Sequence, residues 1–439
     1  MKIDRTYHTP FWLLLIGIIL ILMGPALLSE GMFLDGVLYA CVSRNMAEGV
    51  GSFWFPHYTE SIGPLFRSHP PLAFGLEALL FKLFGDHLFV EKLYCFLTFL
   101  VNGLLIAAIW KRTTNRFSNA WLPLLFWMAI PLVSWSAVNN MLENTMTVFV
   151  LLSVWLMVLS YQKHNKIWLF LAGISLFAAF LSKGFTGLFP LVFPFIYCAF
   201  DRRHKWIQGL IDSLLLLFVL AVLTGLLFLV FPDSYPYLKE YVRIQVIESG
   251  FHETTVPSRF YIVLRLLEEL IVPAVLTVLV FILRKTLKTK VQVFEFPDDK
   301  TMFYIFLLLG FSGVFPIMVS VKQSGYYMAA AMPFFALSLS FLDLSTVNLL
   351  LQNVSQSFKK WMTVGACCVI LAGLVLSLTH IGKYNRDEAM IEEAKLAVKE
   401  NGIGGNIHIT QEEYTQWAKH AYFMRYGKIN LITKTDICY

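Results

Sequence analysis

The chain has 439 residues, 57% of them hydrophobic and only 15% charged, with 39 Phe, 11 Trp and a formal net charge of +6. So little polar surface cannot cover a water-soluble fold of this size, which excludes a soluble globular protein and points to the bilayer. The basic residues are dispersed at the ends of apolar segments, a distribution that reads as membrane topology and excludes a nucleic-acid surface.

Apolar stretches long enough to cross a hydrocarbon core recur near residues 11–28, 87–110, 118–137, 144–161, 166–182, 185–200, 207–231, 263–283, 301–320, 325–342 and 361–380, about eleven in all. The first follows Lys2 and Arg5, exceeds the signal-peptide core of roughly 7–15 residues, and is read as a retained span. Every second boundary is basic: Lys111, Arg112 and Arg116; Lys163 and Lys166; Arg202, Arg203 and Lys205; Arg284, Lys285, Lys288 and Lys290; Lys359 and Lys360. The positive-inside rule then predicts a multi-pass protein of a cell (inner) membrane, with a cytoplasmic N-terminus and an extracytoplasmic C-terminus.

The outer side receives the loops 29–85 and 232–262, short turns near Lys183 and Lys322, and the tail from Ile381. Two domains follow, a transmembrane unit at 1–382 and a small extracytoplasmic α/β unit at 383–439. In the first loop, Asp35–Met46 reads as a helix lying at the interface, with Asp35, Tyr39, Val42 and Met46 on one face. A second helix, Leu72–Phe84, starts from the pair Pro70-Pro71. The tail predicts helix Asp387–Lys399, strand Ile407–Thr410, helix Glu412–Tyr426 and strand Ile429–Thr433, an accessory with little core of its own. Gly402–Gly405 reads as a turn. The six cysteines lack metal-ligand spacing and read as buried thiols, with a Cys41–Cys438 bridge as an unsupported alternative.

Chemistry is expected where side chains meet water. Asp35 is a persistent acid at the outer boundary, although its position also suits a helix N-cap. Arg67 and His69, two apart before the rigid proline pair, project to one side and suit a phosphate group. Lys183, in Leu181-Ser182-Lys183-Gly184, and Lys322, beside Tyr326 and Tyr327, each stand in a turn between spans, where a charge is costly unless it lines a site. Arg243, Gln245, Glu248, His252 and Arg259 stand in the second loop. One carboxylate with several cations suits sugar transfer from a polyprenyl phosphate: the phosphate departs without a general acid, and the incoming hydroxyl needs one base. A glycosidase would need two carboxyl groups.

The run Asp35-Gly36-Val37-Leu38-Tyr39-Ala40, then Arg44-Asn45-Met46 and His69-Pro70-Pro71-Leu72, resembles the start of the bacterial aminoarabinose transferase and protein O-mannosyltransferase-like families. Lys183-Gly184 with Gly187 and Pro190, and Lys322-Gln323 through Tyr327 to Pro333, are similar to later segments of those families in the same order. The resemblance implies a GT-C fold: an all-α polytopic membrane protein with outward interfacial helices. It also implies a lipid-linked sugar donor and metal-independent inverting chemistry at Asp35. The donor phosphate is expected at Arg67, His69, Lys183, Lys322, Tyr326, Arg243 and Arg259, and the rest of the substrate at Tyr39, Arg44, His57 and Glu60. Gly36 stands where many members carry a second acid, which argues against a function needing paired acids. No cofactor is expected, nor a metal at His57, Glu60, His69 and His252. The expected partners are the bilayer, a polyprenyl-phosphate sugar and a lipid, glycan or protein acceptor. A flippase for lipid-linked sugars and a polysaccharide polymerase or ligase are the alternatives.

Overall fold

A computed structural model describes residues 7–201, 203–248, 254–286, 293–295 and 297–433. His252 and Cys438, and the basic residues Lys2, Arg5, Arg202, Lys288 and Lys290, lie outside the described residues. The fold is built from helices, with two short two-stranded sheets.

The helices are α1 (Thr9–Leu28), α2 (Leu34–Glu48), α3 (Leu72–Phe84), α4 (Phe89–Thr114), α5 (Trp121–Met128), α6 (Pro131–Val138), α7 (Leu142–Lys163), α8 (Ile167–Lys183), α9 (Phe193–Phe200), α10 (Trp206–Val230), α11 (Ser234–Tyr241), α12 (Tyr261–Thr286), α13 (Pro297–Val314), α14 (Met332–Gln352) and α15 (Gln356–Leu378). Among the described residues, eight helices are long and apolar enough to cross a membrane, or up to nine if one bent pair counts as a span. The other expected spans take different forms. Residues 118–137 become α5 and α6, which meet at 81°; 166–182 is the 17-residue α8; 185–200 divides into a 3₁₀ turn and α9. Pro131 explains the first break: it opens a new helix and cannot continue the old one.

The first and last spans pack closely, because Gly24 of α1 faces Ser377 of α15 with no room for a Cβ. Basic boundaries meet at one end of the bundle. Gln162 donates to the carbonyl of Arg112, Lys166 pairs with Asp212, Arg203 with Asp298 and Arg116 with Glu295, which also accepts from Asn348. At the other end, the chain leaving α1 pairs with the chain leaving α15: Glu30 N–H donates to Lys383 O, and Asn385 N–H to Glu30 O.

Beyond α15, helices α16 (Glu388–Asn401), α17 (Gln411–Tyr414) and α18 (Trp417–Gly427) surround parallel strands β3 (Asn406–His408) and β4 (Asn430–Ile432); β1 (Gly51–Ser52) and β2 (Phe55–Pro56) form a hairpin in the first loop. The predicted helix Glu412–Tyr426 is thus two helices, the first held by a capping box between Thr410 and Glu413. This terminal unit packs against the first loop and the start of the bundle. Ile391, Ala394, Ala421 and Tyr422 share one apolar core with Val37, Leu38, Cys41 and Val42 of α2. Arg425 completes the join, its guanidinium bonded to Glu91, at 3.0 and 2.9 Å, and to Asp86, at 2.6 Å. As a result α2 is buried continuously from Gly36 to Asn45, covered by protein along a helix whose pattern predicts one face turned to the interface.

One further expectation changes. Cys367 and Cys368 are exposed on α15, whereas Cys41, Cys95 and Cys198 are buried. On a lipid-facing helix a thiol is a small apolar group, so exposure there costs little. Cys41 donates to Ala421 O, and burial pushes its thiol up to about 12.

Candidate active site

Asp35 stands in the first turn of α2, one residue past the start and not at the cap; the cap residue is Phe33, whose amide donates to Asn139 Oδ1 at 2.7 Å. A carboxylate in a helix's first turn is favoured by the helix dipole. Asn140, adopting a left-handed turn with φ 51°, donates from Nδ2 to Gly36 O at 3.2 Å and to Glu77 at 2.8 Å. A Cβ on Gly36 would lie 2.0 Å from the Asn139 carbonyl oxygen. Backbone therefore occupies the space that a side chain at position 36 would need.

Three other segments converge on Asp35. Tyr326 donates to Asp35 Oδ2 at 3.3 Å, and its ring stacks on Trp135. Lys183, ending α8, forms a buried ion pair with Glu143 of α7 at 2.7 Å. Its ammonium also lies 5.5 Å from the ring centres of both Tyr326 and Tyr327, a cation–π arrangement. Tyr39, one turn beyond Asp35, is buried with its ring edge-on to Phe66 and His69. Burial pushes the Asp35 carboxyl above its ordinary value, opposed by the charge of Lys183, the Tyr326 hydrogen bond and the charge of Lys322. His69 is pushed well below its ordinary value by burial and then by Lys183 and Lys322, so it enters the site as a neutral ring, not as a cation. Its backbone carbonyl accepts from Tyr237 of α11 at 2.5 Å, which ties the second loop to the first. Arg67, two residues earlier, is partly buried, and its Nε has no hydrogen-bond partner among the described residues.

The remaining expected residues are placed elsewhere. Arg44 is only 1% exposed and committed to Asp86, Asn45 and Met424 O, so it ties α2 to the terminal unit and presents no donor to a substrate. His57 caps Pro64 O and faces exposed Glu60 at 3.7 Å within the first loop. Arg243 is more than half exposed, between Glu240 and Glu248. Arg259 is exposed, and its backbone carbonyl accepts from Gln323, the neighbour of Lys322. Among the described residues, no group of three or more His, Cys, Asp or Glu could hold a metal. Sequence reasoning missed Glu143, which stands at the start of an apolar span; the cost of an acid at that depth was the available signal.

With this geometry in view, comparisons with known proteins show what the chain is similar to. A profile of the dolichyl-phosphate-mannose-protein mannosyltransferase family matches residues 68–228. The overall fold and this profile together match the GT-C superfamily of membrane glycosyltransferases. The structure of ArnT from Cupriavidus metallidurans in the apo state superposes with a TM-score of 0.62 at 13% identity, covering 97% of this chain and 86% of that one. ArnT from the same organism bound to undecaprenyl phosphate gives 0.60 at 15%, covering 96% and 85%. The Archaeoglobus fulgidus oligosaccharyltransferase in its apo form gives 0.51 at 12%, covering 96% of this chain and 64% of that one. No curated protein matches the sequence.

Gly36→Ala is expected to lower the thermal midpoint in detergent by several degrees, since an overpacked methyl costs roughly 1–3 kcal/mol. An unchanged midpoint would show that the 139–140 turn yields freely.

Proposed function

We propose that the protein is an integral membrane glycosyltransferase that moves a sugar from a polyprenyl-phosphate donor to a hydroxyl of a lipid, glycan or protein acceptor on the extracytoplasmic face. The observation that carries this reading is the meeting of Asp35, Lys183 and Tyr326 on one set of contacts, with Lys322 and His69 coupled to it electrostatically. The ligand class is borrowed from the similarly folded ArnT that holds undecaprenyl phosphate. The orientation is borrowed from the basic boundaries, which gather at the end of the bundle opposite Asp35.

Asp35 acts as the base. The acceptor oxygen attacks the anomeric carbon, the bond from that carbon to the phosphate oxygen breaks, and the acceptor's proton passes to the Asp35 carboxylate. A single displacement inverts the anomeric centre. The polyprenyl phosphate leaves with an added charge, which Lys183 and Lys322 stabilise; Arg67 lies on the same loop as His69 and serves the same group. Glu143 holds Lys183 in place, and the two phenol rings keep the ammonium from turning away. Raising the Asp35 carboxyl by burial makes it a stronger base than a solvated aspartate.

Asp35→Asn should abolish transfer of radiolabelled sugar from polyprenyl-phosphate donors, by about 100-fold or more, with donor affinity nearly kept. Lys183→Met should weaken donor binding about tenfold, in line with loss of a charge-assisted contact. Full transfer by Asp35→Asn would remove the base from this position, and movement of donor across vesicles without transfer would make the protein a flippase.

The pH profile follows from the same group. A base with a raised pKa loses activity on acidification above the ordinary aspartate range of about 4. Lys322 lowers that pKa, so Lys322→Met should move the acid limb of kcat/KM to higher pH. A limb that stays fixed, or moves down, would mean that another group titrates.

A further inference from the structure

The break between α5 and α6 lies in apolar surroundings, where the first amides of a new helix have no water to satisfy them. Pro131 removes one of those donors, and Ile130 at the cap position supplies no side-chain bond. The amide of Leu132 instead donates to Glu269 Oε2 at 2.7 Å, across 137 residues of sequence, from the middle of α12. Glu269 is 2% exposed, and its other oxygen accepts from Arg265 at 2.6 Å. A carboxylate buried at this depth is stabilised by two positive neighbours, the guanidinium and the amino end of α6.

The other end of α6 leads directly to Asp35. Asn139 closes the helix by donating to Trp135 O at 2.8 Å and accepts the Phe33 amide that opens α2. Asn140 holds Gly36 O, and the Asn139 carbonyl rests against Gly36 itself. Arg265 meanwhile lies along Gly325, where an added Cβ would stand 3.1 Å from Arg265 Nε. Gly325 directly precedes Tyr326, whose hydroxyl touches Asp35. Two routes therefore run from the Arg265–Glu269 pair to the same carboxylate, one along α6 and one through Gly325 and the Tyr326 side chain.

We infer that Glu269, supported by Arg265, is a positioning residue for Asp35: by capping α6 from another helix it fixes the 139–140 turn and, through it, the first turn of α2. What Asp35 does once positioned rests on the proposed function above. Glu269 touches no substrate in this scheme. Its effect is on where the base stands, transmitted along the eight residues of α6, a helix about 12 Å long.

The test compares the full-length protein with Glu269→Leu, Glu269→Asp and Glu269→Gln by hydrogen–deuterium exchange of residues 29–38 and 131–140, alongside sugar-transfer kinetics. Glu269→Leu should speed exchange in both segments. It should also lower kcat by about tenfold or more while donor KM moves less than about threefold, because a misplaced base costs turnover and not binding. Glu269→Gln keeps an oxygen for Leu132 and should restore both readouts towards wild type; Glu269→Asp, whose carboxylate is one methylene short, should give intermediate exchange even if the leucine variant fails to fold. Wild-type exchange at 29–38 in the leucine and aspartate variants would overturn the inference, as would a fall in kcat that glutamine does not rescue. The exchange measurement is independent of turnover, so a protein that transfers no sugar would sink the glycosyltransferase reading and leave this one still decided.

Discussion

Everything near Asp35 is organised by the difficulty of keeping charge beside hydrocarbon. Lys183 ends a helix of only 17 residues and is nearly buried, a position that a lone ammonium could not hold at acceptable cost. Glu143 balances it, and two tyrosine rings complete its shell. One of those rings carries the hydroxyl that meets Asp35. The ion pair, the aromatic pair and the acid are therefore one construction, and altering any member changes the field felt by the others.

The same constraint explains why the terminal unit matters. The helix carrying Asp35 is held by α3, by the 139–140 turn and by the unit formed from residues beyond α15. Arg44 and Arg425, both buried, meet at Asp86 from opposite sides of that junction. Asp86 is a quarter exposed, whereas Arg425 and Glu91 are each 3% exposed; removing one partner of a buried pair costs roughly 3–5 kcal/mol, so the Arg425–Glu91 pair stabilises the joint between the two parts of the chain. Glu77, bonded to Ser43 and Asn140 and pushed up to about 8 chiefly by burial, braces the same helix from behind.

Much of this was legible in the residues, for identifiable reasons. The apolar stretches and their basic ends reflect bilayer thickness and charge bias, which act locally; even the helix Leu72–Phe84, marked by its proline pair, occurs within its expected bounds. Polar groups between apolar runs are costly, which singles out Asp35, Lys183, Lys322 and Tyr326 in the sequence, and the structure brings them near one another. Arg44 could not be separated from them, because its partners Asp86 and Met424 O lie 42 and 380 residues away and meet it only in the folded chain. The burial of α2 was hidden for the same reason: its covering surface comes from the far end of the chain. The bend at Pro131 had a local signal, but its partner Glu269 lies 137 residues on, and only the folded chain brings them together.

The most direct test of the central claim, that the Asp35 cluster receives a phosphosugar, is an experimental structure of the full chain with polyprenyl phosphate bound. The account predicts the phosphate beside the Lys183 and Lys322 side chains, with an oxygen within about 4 Å of at least one ammonium, and with Asp35 facing the space where the sugar would lie. A phosphate held at Arg243 in the second loop, or at the basic end of the bundle near Arg116 and Arg203, would contradict it.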